Sequence, residues 1–412
     1  MNILLGVYAC EPNNGSEPEV GWQMVNKIAN LLPDDSIYAI TKKNNKESIE
    51  KEGYPSNVTF FYYEPPKWLT FWKKGGRGIR TYYYIWSYGA ALFLKKKNIN
   101  FAIIHHITFV NDWLPSFYYK LKSKNSKFIW GPNGSNDPIS FKFLNTYKLK
   151  AQEIITNSLK FIFRTFDPFF HICKSNADCI IGINKNVKNK LKLDKNKYFL
   201  AEPAIAVENK FIEQCKTIKN KSDIFTIISV GRLVHIKNFK LILLTFIKFL
   251  KNNPSLQNVQ LVLVGDGPDK NLLQEIAKSN NIESNIQFVG KVPLNDVQNY
   301  LSQSSLFFFP TLENAGFVTI EAMANSLPVL AMKYGGPEQF VINSRNEQLV
   351  DESLPYDDLI NEFAKKIEYF YNNQEEAKSI GQQNKQDIIE NFTWEAKAQK
   401  IVDIYKELLN EA

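Results

Sequence analysis

The sequence predicts an α/β protein built from two doubly wound domains, and three observations support this. The chain has 412 residues, too many for one ordinary hydrophobic core and enough for two domains of about 200 residues each. Its 44% apolar and 22% charged residues are typical of a folded soluble chain. In both halves, short apolar runs alternate with longer amphipathic runs, which is the pattern of parallel strands joined by crossover helices.

Apolar runs of strand length occur along both halves of the chain. In the first half they are Ile3–Tyr8, Ile37–Thr41, Val58–Tyr62, Phe101–His106, Phe128–Trp130 and Cys179–Ile183. In the second half they are Phe225–Val230, Gln260–Val264, Ile286–Val289, Leu306–Pro310 and Val329–Met332. The runs between them predict the helices Pro18–Leu31, Ile79–Lys97, Phe239–Leu250, Lys270–Lys278, Asp296–Ser302 and Val318–Ala324.

The domain limits follow from a change in composition. A polar, lysine-rich segment from Val207 to Ser222 separates the two strand-rich halves and is the predicted linker. We assign residues 1–206 to an N-terminal domain, 207–390 to a C-terminal domain and 391–412 to a helix that crosses back to the first domain. The strand-free tail predicts three helices: Asp357–Asn372, Gln374–Glu390 and Trp394–Leu409. We expect a cleft between the domains, at the carboxyl ends of the strands, where open α/β sheets bind ligands.

Charge is distributed unevenly along the chain. Residues 1–200 hold 29 Lys and Arg against 15 Asp and Glu, whereas the remainder holds 21 against 27. A basic first half favours an anionic partner, such as a lipid headgroup, a phosphate or nucleic acid. An AT-rich coding bias, which inflates Lys, Asn and Ile, explains the excess equally well.

The cysteines and the N-terminus predict a cytoplasmic protein. The four cysteines show no CxxC or Cys/His spacing and are interpreted as unpaired thiols in a reducing compartment. The chain enters a strand directly after Met1, with no basic leader and no cleavage site. No apolar run approaches the ~18 residues of a spanning helix. We therefore expect a cytoplasmic location, with attachment to the inner face of the membrane left open.

The most informative motif runs from Phe309 to Ala324. It reads as a strand end, a loop with Glu313 and Gly316, and a helix that begins near Phe317. Unpaired N–H groups at a helix start suit a phosphate or a sugar hydroxyl, and carboxylates accept hydrogen bonds from vicinal hydroxyls. Glu321 lies in an apolar stretch, where a charge needs a partner. The alternative is that Glu313 caps the helix and Glu321 lies on the surface.

Two cations follow the strand Phe225–Val230. Arg232 and Lys237 stand five residues apart in the loop after Gly231, a spacing that suits a clamp on a diphosphate. Their charge would also stabilise a nucleoside diphosphate as it leaves. Taken alone, the motif also fits a solvated loop, but the next strand ends in Val264-Gly265-Asp266-Gly267-Pro268.

These motifs together resemble family 4 of the retaining glycosyltransferases, which have the GT-B fold of two Rossmann-like domains. The resemblance covers roughly residues 225–340, from Gly231-Arg232-Leu233 through Phe288-Val289-Gly290 to Gly335-Gly336-Pro337-Glu338. The first half is similar more loosely, through Gly15-Ser16-Glu17-Pro18 and His105-His106. Asn314-Ala315-Gly316-Phe317 stands where members usually carry a proline and an aromatic residue. Ser16 stands where many members have a second glycine. Both departures concern sugar specificity rather than the reaction.

The resemblance implies a role for each matching residue. Arg232 and Lys237 would hold the donor diphosphate, Glu321 the ribose hydroxyls and Glu313 the donor sugar. Backbone groups would contact the base, the sugar or the phosphates at Gly15, Gly231, Gly265, Val289, Asn314, Ala315, Gly316, Phe317 and Val318. His105 or His106 would contact the donor sugar. Strand alternation lets at most one of these two histidines face the ligand, and either one also fits a structural histidine at a strand end.

The implied activity is transfer of a hexose or N-acetylhexosamine from a UDP- or GDP-linked donor to a glycan or lipid-linked acceptor, with retention of configuration at the anomeric carbon. From the cytoplasmic and basic character of the chain, we expect it to act in bacterial surface polysaccharide or lipopolysaccharide assembly. No DxD motif occurs, so we expect no cofactor and no metal. The rivals are an epimerase or phosphorylase of the same fold, a dehydrogenase, which lacks support because no GxGxxG follows the first strand, and a non-catalytic nucleotide-sugar-binding subunit.

One segment remains ambiguous at this level. Lys67–Lys74 and Arg77–Trp86 mix basic and aromatic residues. This mixture suits an anionic membrane surface, an aromatic helix packed in a core, or single-stranded nucleic acid. No RNA- or DNA-binding motif accompanies it, so we expect no nucleic-acid partner.

Overall fold

The computed structural model describes residues 1–76, 78–215 and 224–410, and its contacts divide the chain into two compact units. The N-terminal unit contains residues 1–135, 154–204 and the chain from Trp394 onward. The C-terminal unit contains residues 136–153 and 205–393. The predicted linker falls partly on residues 216–222, which lie outside the described residues, as does Arg77.

Thirteen strands occur in the described residues. They are β1 (Asn2–Val7), β2 (Ser36–Lys42), β3 (Val58–Tyr63), β4 (Ile103–Thr108), β5 (Lys127–Asn133), β6 (Cys179–Gly182), β7 (Tyr198–Ala201), β8 (Phe225–Val230), β9 (Val259–Val264), β10 (Ile286–Gly290), β11 (Leu306–Phe308), β12 (Val329–Met332) and β13 (Leu349–Val350).

Helices connect the strands and form the end of the chain. In the part that the structure describes they are α1 (Ser16–Leu31), α2 (Lys46–Glu52), α3 (Lys67–Thr70), α4 (Ile79–Lys95), α5 (Tyr147–Phe166), α6 (Pro168–Asn176), α7 (Asn186–Lys190), α8 (Asn209–Gln214), α9 (Phe239–Asn252), α10 (Lys270–Ser279), α11 (Leu294–Ser302), α12 (Phe317–Ala324), α13 (Gly335–Phe340), α14 (Arg345–Gln348), α15 (Tyr356–Asn372), α16 (Gln374–Asn391) and α17 (Trp394–Asn410).

The N-terminal unit is built on a seven-stranded parallel sheet. Its strand order is β3-β2-β1-β4-β5-β6-β7, so the order reverses between β1 and β4. The central strands β1 and β4 are buried along nearly their whole length, as expected for a parallel sheet covered on both faces. Part of the core is aromatic: Tyr8 packs edge-on against Tyr83 and Trp86 of α4.

The C-terminal unit repeats this plan with six parallel strands in the order β10-β9-β8-β11-β12-β13. Counted from its own first strand, the order is 3-2-1-4-5-6, which defines the Rossmann fold. Helix α9 presents a strongly apolar face to the sheet and buries eight of its 14 residues, Phe239 and Phe246 among them. Helix α15 adds Phe363, Ile367 and Phe370 to the same core.

The structure corrects one domain limit. The sequence assigned residues 136–153 to the N-terminal domain, but they belong to the C-terminal unit. The reason is apolar packing, because Ile139, Phe143 and Leu144 join the core of the C-terminal unit, where Phe143 meets the ring of Tyr356. Sequence patterns assign this segment to its chain neighbours, whereas packing assigns it to the core that buries it.

Within the described residues, the sequence analysis missed two strands, β7 and β13, and eight helices, of which α5 is the longest. Strand β7 is only half-buried, and β13 has two residues, so neither gives an apolar run that stands out. Helix α5 was missed although it is 20 residues long. None of its residues is buried, and its apolar side chains are exposed.

Candidate functional site

The strand order of the C-terminal unit brings the two best motifs together. Strands β8 and β11 are neighbours although 75 residues separate their ends, Val230 and Leu306. The order of strands reverses between them, and at such a reversal the two following loops diverge and leave a crevice at the carboxyl edge of the sheet. The loop after β8 carries Arg232 and Lys237, and the loop after β11 carries Glu313.

Backbone packing fixes the loop after β8. Gly231 and Gly265 both have positive φ, and a side chain at Gly265 would meet the carbonyl oxygen of Gly231 at 1.9 Å. The N–H of Leu233 donates to Asp266 O at 3.0 Å, and the N–H of Asp269 donates back to Leu233 O at 3.1 Å. Glycine at 265 therefore lets the loops after β8 and β9 lie in direct contact.

A short 3-10 helix, His235–Lys237, then turns the chain toward the loop after β11. The N–H of Leu312 donates to Ile236 O at 2.8 Å, and Asn238 Nδ2 donates to Pro310 O at 3.2 Å. These bonds join the two loops and place Lys237 Nζ 2.5 Å from Glu313 Oε2. The ammonium group also lies 5.0 Å above the ring of Phe309.

The two cations of this site differ in their surroundings. Lys237 is paired with Glu313, and both side chains remain accessible, at 18% and 25%. Arg232 is exposed, and within the described residues its guanidinium makes no hydrogen bond or ion pair. The loop after β8 therefore offers the five donors of an exposed guanidinium and a lysine whose ion pair an incoming anion can reorganise.

Glu321 lies on helix α12 with its carboxyl group in a poorly solvated position. No hydrogen-bond donor faces it among the described residues, and burial raises its pKa from 4.5 to about 7. The side chain is nevertheless only partly covered. A desolvated carboxyl group that can still be reached is suited to accept hydrogen bonds from a hydroxyl-bearing ligand.

The chain between the two glutamates forms the start of helix α12. Gly316 precedes the helix, Ala315 is exposed, and Phe317 and Val318 are half-buried. The first N–H groups of a helix have no partner inside it. Asn314 is buried, and its backbone N–H donates to Asn136 Oδ1 at 3.3 Å.

Two glycines, Gly335 and Gly336, pack against the backbone of the loop that carries Glu313. A side chain at Gly335 would meet Glu313 O at 2.2 Å, and one at Gly336 would meet Ala315 O at 2.7 Å. The N–H of Gly336 donates to Glu313 O at 3.1 Å. Gly335 and Gly336 thus hold the backbone of the Glu313 loop in place. The sequence analysis had used these two glycines only as markers of the family resemblance.

Val289 stands at the end of β10, beside the loop after β9. Its side chain is half-buried, and the next residue, Gly290, accepts a hydrogen bond from the N–H of Gly265 at 2.8 Å. The ends of three adjacent strands, β8, β9 and β10, are therefore connected through Gly231, Gly265 and Gly290.

In the N-terminal unit, the equivalent loops are closed by internal bonds. Gly15 has positive φ and directly precedes α1, with open space where a side chain would lie. Two residues later, the carboxylate of Glu17 accepts a hydrogen bond from the N–H of Phe109, and burial raises its pKa. The guanidinium of Arg80 lies 4.6 Å above the Phe109 ring. Sequence reasoning did not single out Glu17 or Arg80 as site residues.

His105 and His106 lie in the interior of the N-terminal unit, and their contact with a donor sugar stays a prediction. Both side chains are 1% exposed. His105 Nε2 donates to Gly131 O at 2.7 Å, so its Nδ1 accepts from the Tyr405 hydroxyl at 2.6 Å. His106 Nε2 lies 2.6 Å from the Tyr83 hydroxyl. Burial lowers the pKa of His105 to about 4 and that of His106 to about 3, so both rings are neutral at physiological pH.

The aromatic segment of the N-terminal unit divides into two parts. Tyr82, Tyr83 and Trp86 of α4 are buried, as the packing interpretation predicts, whereas Trp68 and Phe71 are 73% and 79% exposed.

None of the helices in the described residues is long and apolar enough to cross a bilayer. The four cysteines are all buried and unpaired.

Residues 210–387 match the model of a family described as Glycosyl transferases group 1. An uncharacterized glycosyltransferase of Methanocaldococcus jannaschii is 29% identical over 256 residues, which cover 62% of this chain and 65% of that relative. The match thus spans slightly less than two thirds of the relative's length. The resemblance predicted from the sequence is confirmed at the level of group 1 glycosyl transferases; membership of family 4 stays a prediction.

Solved structures share the fold over the whole chain. Sucrose-phosphate synthase from Thermosynechococcus elongatus covers 100% of both chains with a TM-score of 0.64 at 17% identity. The pneumococcal O-GlcNAc transferase, solved in complex with UDP and GlcNAc, covers 99% of both chains with a TM-score of 0.59 at 12% identity. At these identities the likeness concerns the fold alone, and the predicted GT-B class is confirmed.

Proposed function

We propose that this chain, which carries a group 1 glycosyl transferase domain, transfers a hexose or N-acetylhexosamine from a UDP- or GDP-linked donor to a hydroxyl of a glycan or lipid-linked acceptor. The observation that carries the proposal is the meeting of Lys237 and Glu313 at 2.5 Å, where Lys237 shares the loop after β8 with the exposed residue Arg232. A diphosphate needs cations and a sugar needs hydrogen-bond acceptors, and this site presents both at the reversal point of the sheet.

Each charged group has a task in the proposed reaction. Arg232 binds the diphosphate through its planar fork, and Lys237 adds a compact charge to the oxygen that departs. Glu313 accepts hydrogen bonds from the donor sugar, and Glu321 accepts them from the ribose hydroxyls. The N–H groups at the start of α12 supply further donors to the phosphate or the sugar. These roles need no metal ion, and the reaction is proposed to proceed without one.

The proposed transfer retains the configuration of the anomeric carbon. Its bond to the diphosphate oxygen breaks, and the electron pair leaves with the phosphate. The acceptor hydroxyl oxygen forms the new bond on the same face, and its proton passes to the departing phosphate oxygen. The positive charge of the oxocarbenium-like sugar is balanced by the diphosphate, which Arg232 and Lys237 stabilise as its charge grows.

The proposed donor class rests on the cations and acids of this site, and a likeness of fold is consistent with it. One neighbour of the same fold holds UDP and GlcNAc. The acceptor is proposed to be a hydroxyl on bacterial cell-surface polysaccharide or lipopolysaccharide, handled in the cytoplasm. This acceptor rests on the sequence interpretation rather than on a contact within the site.

A thermal-shift screen tests the proposal directly. UDP-glucose, UDP-N-acetylglucosamine and GDP-mannose are added to the full chain, and a true donor raises the unfolding temperature because it binds the folded state. Arg232→Ala should abolish that shift, and Lys278→Ala, an exposed lysine on α10, should keep it. If no nucleotide sugar stabilises the wild-type chain, the assignment is wrong. If a donor stabilises the chain and sugar phosphate is released, a phosphorylase is favoured, and if the donor is epimerised, an epimerase is favoured. Binding of a donor without any turnover would favour a non-catalytic subunit.

A further inference from the structure

Helix α5 exposes its apolar residues instead of burying them. None of its 20 residues is buried, whereas α9 buries eight of 14. One exposed stripe follows the helical spacing of four, three and four residues through Ile155, Leu159, Ile162 and Phe166. Their side chains are 59%, 46%, 48% and 71% exposed.

The opposite face of α5 is polar and points inward. Glu153, Asn157, Lys160 and Arg164 follow the same spacing two residues out of step and are half-buried. Arg164 lies 3.1 Å from the fully buried carboxylate of Asp112, and its Nε donates to Asp112 O at 2.9 Å. Polar contacts therefore attach the helix to the protein.

This arrangement inverts the usual amphipathic helix. A stripe of Ile, Leu and Phe gains free energy only when it leaves water, at about 25 cal/mol per Å² of apolar surface. Among the described residues, the contacts of α5 leave the stripe in solvent, and a contiguous exposed apolar surface of this kind marks an interaction site.

The exposed apolar surface continues beyond α5. Phe169 and Ile172 of α6 are 38% and 42% exposed. The hydroxyl of Tyr84, on α4, donates to Asp167 Oδ2 at 3.1 Å at the junction of α5 and α6. The exposed residues Trp68, Phe71 and Trp72 lie near the start of the same α4, where Trp72 packs beside Gly78. Both exposed groups thus adjoin the first two turns of α4.

Charge identifies the partner. Residues 141–176 contain six Lys and Arg and two acids, which leaves a net positive charge. Lys160 and Arg164 lie on the inward face of α5, and Lys142 and Lys174 donate to the carbonyl oxygens of Glu352 and Leu191. Both acids are engaged: Glu153 accepts from the N–H of Ile139, and Asp167 accepts from the N–H of Phe169. Lys148 is exposed and lies one heptad before Ile155, on the exposed stripe. Residues 67–80 add five Lys and Arg and no acid.

We propose that the face formed by α5, α6 and the Trp68–Trp72 segment docks on an anionic lipid surface. The apolar stripe enters the interface between headgroups and acyl chains, the aromatic rings sit at headgroup depth, and the lysines meet lipid phosphates. The helix lies along the surface and does not cross it. This inference is independent of the donor site.

Vesicle flotation with the full chain tests this surface. The protein is mixed with phosphatidylcholine vesicles with or without phosphatidylglycerol. We expect flotation with the anionic vesicles, little with the neutral ones, and weaker binding as salt screens the lysines. Leu159→Glu with Phe166→Glu should weaken binding by about tenfold or more, because both side chains would bring a charge into the interface.

A matched control separates this face from exposed apolar residues in general. Leu272→Glu with Ile389→Glu changes two residues of the C-terminal unit that are 45% and 42% exposed, and it should float like the wild type. Both double variants should keep the wild-type unfolding temperature and nucleotide-sugar response, because they change only exposed positions. Equal flotation of both variants would overturn the proposal. So would a self-associated wild type that the α5 variant converts to monomer, since a second copy would then cover the stripe.

Discussion

The two units share a strand order but use their reversal points in opposite ways. In the C-terminal unit, the loops after β8 and β11 leave Arg232, Lys237 and Glu313 accessible. In the N-terminal unit, the middle of β4 carries His105 and His106, which are both buried. The ring nitrogens of His105 bond to Gly131 and Tyr405, and Nε2 of His106 bonds to Tyr83. The same topology therefore gives an open charged site in one unit and a packed polar core in the other.

The difference shows that topology offers a site and side chains decide whether it is used. Cations and carboxylates are expensive to bury, so they stay at the surface of a crevice unless a partner is provided. A neutral histidine costs much less to bury when its nitrogens are hydrogen-bonded. Because of this asymmetry, the site is assigned to the loops after β8 and β11.

The largest expected effect is at Lys237. Lys237→Ala removes the charge that stabilises the departing diphosphate, so kcat should fall by about 100- to 1,000-fold, with a smaller change in donor binding. Steady-state kinetics of donor hydrolysis and transfer measures this. Lys278→Ala changes an exposed lysine on α10, and its kcat should be within about twofold of the wild-type value. A Lys237→Ala variant with wild-type turnover would show that the loops after β8 and β11 do not form the active site, and the contrast between the two units would no longer hold.

The next effect is on stability and concerns His105. His105→Leu leaves the Tyr405 hydroxyl and the Gly131 carbonyl without partners, so the free energy of unfolding should fall by about 2–4 kcal/mol. Tyr405→Phe, which removes one bond only, should cost about 1–2 kcal/mol. Denaturant unfolding measures both, and kcat of each folded variant should stay within about twofold. A loss of kcat/KM with unchanged stability would instead make His105 part of the active site.

The buried histidines also predict a pH dependence. Their folded-state pKa values, about 4 and about 3, lie below the ordinary 6.5, so the unfolded chain binds protons first as pH falls. The free energy of unfolding of the wild type should therefore decrease from about pH 6.5 toward pH 4. His105→Leu should flatten this decline, whereas His171→Leu, at an exposed histidine, should leave it unchanged.

The smallest effect is a pH dependence of donor binding through Glu321. The pKa of its carboxyl group is raised to about 7, and ribose hydroxyls donate best to the ionised form. Binding of UDP-glucose, or of whichever donor the screen selects, should tighten up to about tenfold between pH 6 and pH 8. Calorimetry of wild type and Glu321→Gln measures this, and the variant should bind weakly and equally at both pH values. The same slope in both would place the titrating group elsewhere.

Much of the fold was predictable because apolar periodicity is local. The strand Phe225–Val230 was predicted with its observed limits, and α9 and α12 differ from prediction by one or two residues at their ends. Helix α5 was missed although Ile155, Leu159, Ile162 and Phe166 follow a helical spacing, and that spacing alone does not show whether the stripe faces a core or solvent. The segment 136–153 was misassigned because its core partners are distant in sequence.

The candidate site was predictable where it depends on residue type and spacing. Arg232, Lys237, Glu313 and Glu321 carry charges next to glycine-containing loops, and the structure brings Lys237 and Glu313 together. The burial of both histidines was not predictable, because a His at a strand end has the same sequence pattern whether its ring faces a ligand or a core. Glu17 was not singled out, because its partner, the N–H of Phe109, is 92 residues away.

The sequence by itself determined the fold class and the chemistry of the loops after β8 and β11, because hydrophobic periodicity and charge are properties of short segments. Only the tertiary structure decided that Lys237 meets Glu313, that both histidines are buried, and that α5 turns its apolar stripe outward. Those outcomes depend on which surfaces lose water, and that is settled by contacts between residues far apart in the chain.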